Sequence, residues 1–229
     1  MNTPMIAIIG NGKMGRSVAD VTRDHGLSIS AIIGAHTPIT AESLAGAQVA
    51  IEFTEPSAAV ANVKACVQAG CPIVVGTTGW YSDLDALTGF VRDHSGTMLW
   101  SANFSLGVHV FTELVRYAGE LLSNIPGFDA HIIETHHRAK KDAPSGTALM
   151  LQRTMASAWN RDLPVTSVRV GAVPGTHELI LDAKYEQMTL VHTARDRRVF
   201  AEGAVAAARW LVGRSGVFTM ADMFGSQRS

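Results

Sequence analysis

Cysteine is scarce in this chain of 229 residues: only Cys66 and Cys71 are present. Their C-x4-C spacing has no second pair to complete a zinc site, so no metal is expected from them. The opening MNTPMIAIIG lacks a basic segment followed by a long apolar run, which argues against a secretory signal there. A cytoplasmic protein with reduced thiols is expected. Long hydrophobic runs are also missing: nothing approaches the ~20 apolar residues of a membrane-crossing helix. Charge of one sign is missing too. The formal net charge is −1, so neither nucleic acid nor a membrane surface is an expected partner. Charged residues make up 17% against 47% apolar, which excludes a disordered chain and fits a globular protein of one or two domains.

The chain opens on a short apolar run, Met5 to Ile9, then GNGKMG, then apolar residues at helical spacing, Met14, Val18 and Val21. A strand, a glycine-rich turn and a helix are expected. Gly10 permits the turn, Gly12 leaves room for a pyrophosphate, and Gly15 lets the helix approach the strand. Asn11, Lys13 and Met14 complete the expected contact loop. The alternation continues with strands expected at 27–33, 48–54, 72–79 and 97–104 and helices after Pro56 and over 82–94. That pattern predicts a doubly wound parallel sheet of the Rossmann kind. Ligands of such sheets lie beyond the carboxyl ends of the strands. Gly76-Thr77-Thr78 and Ser101-Ala102-Asn103-Phe104 fall there and are candidate cofactor contacts. The acidic residue that usually holds the ribose is missing. Gly34-Ala35-His36-Thr37 stands in its place, with His36 as the only candidate. Both NADH and NADPH are expected to serve, with a modest NADPH preference through His36 and Thr37.

After Phe104 the pattern changes. A long helix is expected over 106–125, a strand over 128–137, alternating strands over 177–183 and 186–194, and a helix over 201–213. This reads as an inserted α+β domain, 105–203, within a dinucleotide-binding domain of 1–104 plus 204–229. In an extended 130–137, Ala130, Ile132, Glu134 and His136 share one face and His131, Ile133, Thr135 and His137 the other. Beyond it, Ala148, Leu151, Met155 and Trp159 mark the buried face of a helix whose start is Pro144-Ser145-Gly146-Thr147. A helix start beside Lys140, Lys141 and two histidines suits carboxylates. Adjacent histidines among lysines do not suit a metal.

The run HHRAKKDAPSGTA, with GNGKMG, EFT, GTTG and ANFSLGV in this order, resembles the 4-hydroxy-tetrahydrodipicolinate reductase (dihydrodipicolinate reductase) family over nearly the whole chain. The resemblance implies reduction of a small cyclic dicarboxylate by NADPH or NADH, with loss of water, in the diaminopimelate route to lysine. It assigns proton transfer to His136 and Lys140, and substrate carboxylates to His137, Gly146 and Thr147, with Ser145 beside them. It implies a homo-oligomer, usually a tetramer formed through the second sheet. Two departures stand out: the missing acidic ribose contact, and a segment between Val165 and His192 that is shorter than in many members. Another dinucleotide-dependent dicarboxylate dehydrogenase, or a non-catalytic dinucleotide-binding regulator, is the alternative.

Overall fold

The structure, a computed structural model, describes residues 3–225; the ends of the expected domain range, 1–2 and 226–229, lie outside the described residues. The chain divides into two compact units. One runs up to Leu106 and resumes at Arg198; the other is Gly107–Arg197.

The first unit holds a parallel six-stranded sheet. Its strands are β1 (Met5–Ile9), β2 (Ser28–Ile33), β3 (Val49–Glu52), β4 (Ile73–Val75), β5 (Thr97–Trp100) and β10 (Gly216–Thr219), in the order β10-β5-β4-β3-β1-β2. Every pairing is parallel. The strands are nearly continuous apolar runs because both faces are covered. Ile6, Ile8, Val49 and Ile51 face one core with α1 (Lys13–Asp24) and α6 (Arg198–Leu211), through Val18, Val21, Ala204 and Val205. Ala7, Ile9, Ala50 and Val75 face the other with α2 (Pro56–Gln68) and α3 (Leu84–Asp93), through Val63, Val67, Leu87 and Val91. Pro56 sits in the first turn of α2, where its missing N–H leaves no bond unmade. The strand order reverses at β1, which has β2 on one side and β3 on the other. Ligands of open α/β sheets bind at such a reversal.

The second unit is a mixed sheet, β7-β6-β8-β9, built from β6 (Asp129–His136), β7 (Val165–Arg169), β8 (Thr176–Ala183) and β9 (Glu186–Thr193). Helices α4 (Leu106–Leu122) and α5 (Gly146–Trp159) cover one face, with Phe111, Val115, Leu151 and Met155 packed on Ile132, Leu179 and Leu181. Strand β6 alternates buried and half-buried positions as its sequence predicts. Two strands have no counterpart in the sequence reading. β7, VTSVR, lies at the sheet edge with no fully buried residue. β10, GVFT, is four residues long and half-buried throughout. Neither has the alternation or the apolar run that marks a strand.

Candidate active site

In the first unit a cavity of about 400 Å³ opens at the strand-order reversal. Its floor is Ile9, Gly10, Asn11 and Gly12, and its walls include Ala35 and Thr37 on one side and Thr54, Glu55 and Asn62 on the other. Gly12 is the N-cap of α1, and no side chain caps that end. A Cβ built on Gly12 meets nothing within 4 Å, so the space before the helix start is open. A dinucleotide pyrophosphate fits there, because uncapped amides and the helix dipole favour an anion.

Gly15 is buried against the turn instead: a Cβ on it would stand 1.8 Å from the Gly10 carbonyl oxygen. Neither it nor Lys13 or Met14 is among the residues lining the cavity. Nor is His36, which is exposed between the lining Ala35 and Thr37. Among the described lining residues the one ionisable side chain is Glu55, which the sequence reading did not single out.

The other two loops expected to contact the cofactor lie at the carboxyl ends of β4 and β5. Buried Glu52 ties the first of them down: its Oε1 accepts from the hydroxyls of Thr54 and Thr77, the latter at 2.9 Å, and from Asn62 Nδ2 at 3.4 Å. Thr77 Oγ1 in turn accepts the Thr54 amide at 2.7 Å. The Thr77 hydroxyl is thereby engaged within the protein. Thr78 is exposed, and Gly76 is half-buried, its amide donating to the Glu52 carbonyl at 2.8 Å. In the second loop Ser101 Oγ donates to the Asn103 carbonyl at 2.7 Å, while Ala102 is exposed. Phe104 is a core residue, 2% exposed, edge-on to Phe53. Its side chain is closed to a ligand, and only its backbone remains for the contact expected of it.

In the second unit β6 ends at His136, so His136 keeps the buried face it shares with Glu134 and His137 leaves the strand half-buried. Glu134 is fully buried and is the hub of the site. It accepts from Arg169 through both terminal nitrogens, at 3.0 and 2.7 Å, from the Ser145 amide at 3.2 Å, and from His136 Nδ1. Arg169 Nη2 also donates to the Asp142 carbonyl at 2.6 Å. Asp142 binds Lys140 Nζ at 2.8 Å. One network therefore joins Lys140, His136 and the start of α5.

Ser145, the N-cap of α5, accepts the Ala148 amide at 3.1 Å and bonds His177 Nε2 at 3.2 Å. It is 2% exposed, so its hydroxyl shapes the helix start and is not open to a ligand. Gly146 is exposed, and a Cβ there meets nothing within 4 Å. Thr147 follows it, half-buried, in the first turn. Among the described residues no group of three metal-ligating side chains occurs. Arg169 and His177 escaped the sequence reading because β7 was unrecognised and His177 stands on another strand. Glu134 carried a legible signal, a carboxylate on the buried face beside His136.

Burial alone would raise the Glu134 carboxyl, but Arg169, Ser167 and His136 outweigh it and hold it at about 2. Burial, helped by the cations of Lys140 and Arg169, keeps His136 below its ordinary value against the pull of Glu134. Burial and the neighbouring His136 push His177 down to about 4. In the unfolded chain a histidine takes its proton near ~6.5. The His177 contribution to stability is therefore complete above that pH and is lost as pH falls towards 4. Its size is ~3 kcal/mol. Glu134 acts lower, losing its contribution only as pH falls from ~4.3 towards 2. Urea unfolding between pH 7.5 and 4.5 should show stability falling below pH ~6.5, and His177→Gln should flatten part of that fall. Constant stability across this range would contradict the burial of a neutral His177.

Residues 5–104 match the family model described as dihydrodipicolinate reductase, N-terminus, and residues 107–224 the one described as its C-terminus. The 4-hydroxy-tetrahydrodipicolinate reductase of Christiangramia forsetii is 33% identical over 234 residues, covering 95% of this chain and 96% of that protein. That of Gluconobacter oxydans is 42% identical over 192 residues, 76% of each. A dipicolinate-bound dihydrodipicolinate reductase from Paenisporosarcina sp. TG-14 shares the fold, with a TM-score of 0.79 at 21% identity over 95% of this chain and 98% of that one. Matched in both halves, and similar to a curated relative almost end to end, the chain belongs to the dihydrodipicolinate reductase family, oxidoreductases of diaminopimelate and lysine biosynthesis that use NADH or NADPH.

Proposed function

We propose that this protein reduces 4-hydroxy-tetrahydrodipicolinate to tetrahydrodipicolinate, with loss of water, in the cytoplasm. The observation that carries the reading is the single network joining His136, Lys140 and the start of α5. The first unit holds the cofactor at Gly10–Gly12, with 76–78 and 101–104 as further contact loops. The nicotinamide, when bound, supplies the hydride.

The remaining work belongs to the second unit. The start of α5, at Gly146 and Thr147, holds a carboxylate of the substrate with its amides and dipole, and His137 assists. Loss of water takes a proton from the ring and returns one to the departing oxygen. A neutral His136 is suited to accept the first. After hydride addition the electron-rich ring takes up one proton, which the Lys140 ammonium gives. A positioned acid of this kind contributes about 10²–10⁴-fold.

The half-buried outer face of the second sheet, with Val168 and Val191 exposed on it, supports association of copies of this chain, as a tetramer. Light scattering should give a mass near four chains.

The test of function is a coupled assay. The substrate is made in place by the upstream synthase from pyruvate and aspartate semialdehyde, and loss of NADH or NADPH is followed. Turnover of both is expected. The described lining residues at the end of β2, Gly34, Ala35 and Thr37, carry no charge, so neither cofactor is rejected there. Cofactor oxidation no faster than without substrate would end the assignment.

A further inference from the structure

We propose that Glu134, clamped by Arg169, is a positioning residue that holds His136 as the Nδ1–H tautomer with Nε2 open towards the substrate. The inference deepens the reading above and rests on His136 being the histidine that moves a proton.

The geometry leaves one arrangement of protons. Glu134 sits at 0% exposure on the same face of β6 as His136, two residues before it. Arg169 stands beside His136 in the register of β7 and reaches both carboxylate oxygens, at 3.0 and 2.7 Å. A carboxylate gripped by a fork-shaped cation stays ionised and can only accept hydrogen bonds. The imidazole nitrogen against it, Nδ1, must therefore be the donor. That places the lone pair of a neutral His136 on Nε2. Gly175 packs against this edge of the ring, where a Cβ would lie 3.0 Å from Nε2, and the His136 side chain keeps 10% of its surface exposed.

The charges around the ring are balanced rather than merely attractive. Glu134 favours the imidazolium. Arg169 from β7, Lys140 from the loop after β6 and the edge of His177 from β8 oppose it. Glu134 alone beside His136 would tend to lock it as a cation. Arg169 cancels that carboxylate while leaving its oxygen as an acceptor. The ring is thus held in orientation without being charged, which is the state a proton acceptor needs. The same carboxylate takes the Ser145 amide, so the orientation of His136 and the start of α5 share one support. Glu134 does not touch the substrate in this account; it acts through His136.

Two variants should move the His136 titration in opposite directions. Glu134→Gln keeps the shape but removes the negative charge, leaving Arg169 uncompensated, so His136 should titrate at lower pH. Arg169→Gln leaves Glu134 to pair with the imidazole alone, so His136 should titrate at higher pH. A merely structural role for the pair would move both the same way or not at all.

The experiment is 15N NMR of histidine-labelled full-length protein across pH, with steady-state kinetics in parallel. Wild type at neutral pH should show His136 protonated on Nδ1 and bare on Nε2. In Glu134→Gln, kcat should fall by about 10–100-fold with KM within about threefold, and the acidic limb of kcat/KM should move down. An Nε2–H tautomer or an imidazolium in the wild type at neutral pH overturns the inference, as do shifts of equal sign in the two variants. If one variant does not fold, the other's direction and the wild-type tautomer still decide it; if neither folds, the tautomer alone does. Full turnover in His136→Gln overturns the reading of the site itself, a result separate from any of these.

Discussion

Gly12→Val is expected to weaken NADH and NADPH binding at least ~100-fold while the protein stays folded, because the added side chain takes the place of the pyrophosphate at the helix start. The structure makes this a clean experiment. A Cβ at Gly12 meets nothing within 4 Å of the protein, and the backbone there is extended (φ −71°, ψ −166°), so no strain comes with the side chain. The cost to α1 is the loss of a tolerated glycine N-cap, about 1 kcal/mol or less. The neighbouring glycines behave in the opposite way. Gly10 has φ +103°, and its Cβ would lie 2.1 Å from the Phe53 carbonyl oxygen. A Cβ on Gly15 would lie 1.8 Å from the Gly10 carbonyl oxygen. Gly10→Val and Gly15→Val should therefore unfold the first unit or prevent its expression. Calorimetric titration with NADH, beside circular dichroism, separates the cases. Unchanged affinity in Gly12→Val would place the pyrophosphate elsewhere.

Lys140→Ala should lower kcat by ~10²-fold or more, within the range for a lost general acid. The Lys140 ammonium stands 2.8 Å from the Asp142 carboxylate, on a side chain only 23% exposed. Asp142 is itself open to solvent, and such half-exposed pairs add at most ~1 kcal/mol to stability. The variant should therefore fold normally, which lets the loss be read as chemistry. Thr147→Val should differ in kind. If Thr147 holds a substrate carboxylate as proposed, the variant loses that contact, and KM should rise more than kcat falls. Stopped-flow and steady-state measurements of the same coupled reaction give both. Wild-type kcat in Lys140→Ala would remove that residue from proton transfer.

The order of elements from β1 to β5 is legible in the sequence, since each strand buried on both faces is an apolar run and each covering helix repeats at its own period. The same local rule put Glu134 and His136 on one face of β6, and the alternation over 177–183 and 186–194 marked β8 and β9. Periodicity reports the face a residue takes on its own element. It is silent about which other element stands against that face. That Arg169 grips Glu134 follows only from β7 pairing beside β6, and β7 is an edge strand whose polar residues carry no period. That β10 closes the first sheet against β5 was hidden in four half-buried residues. His36, the sequence's only candidate at the end of β2, is not among the residues that line the cavity, whereas Glu55 and Asn62 enter from the turn and helix after β3. The chain thus determined locally where the anion-binding turns begin. Which charges face one another was decided by pairings between segments far apart in sequence, because only the folded contacts bring such groups within hydrogen-bonding reach.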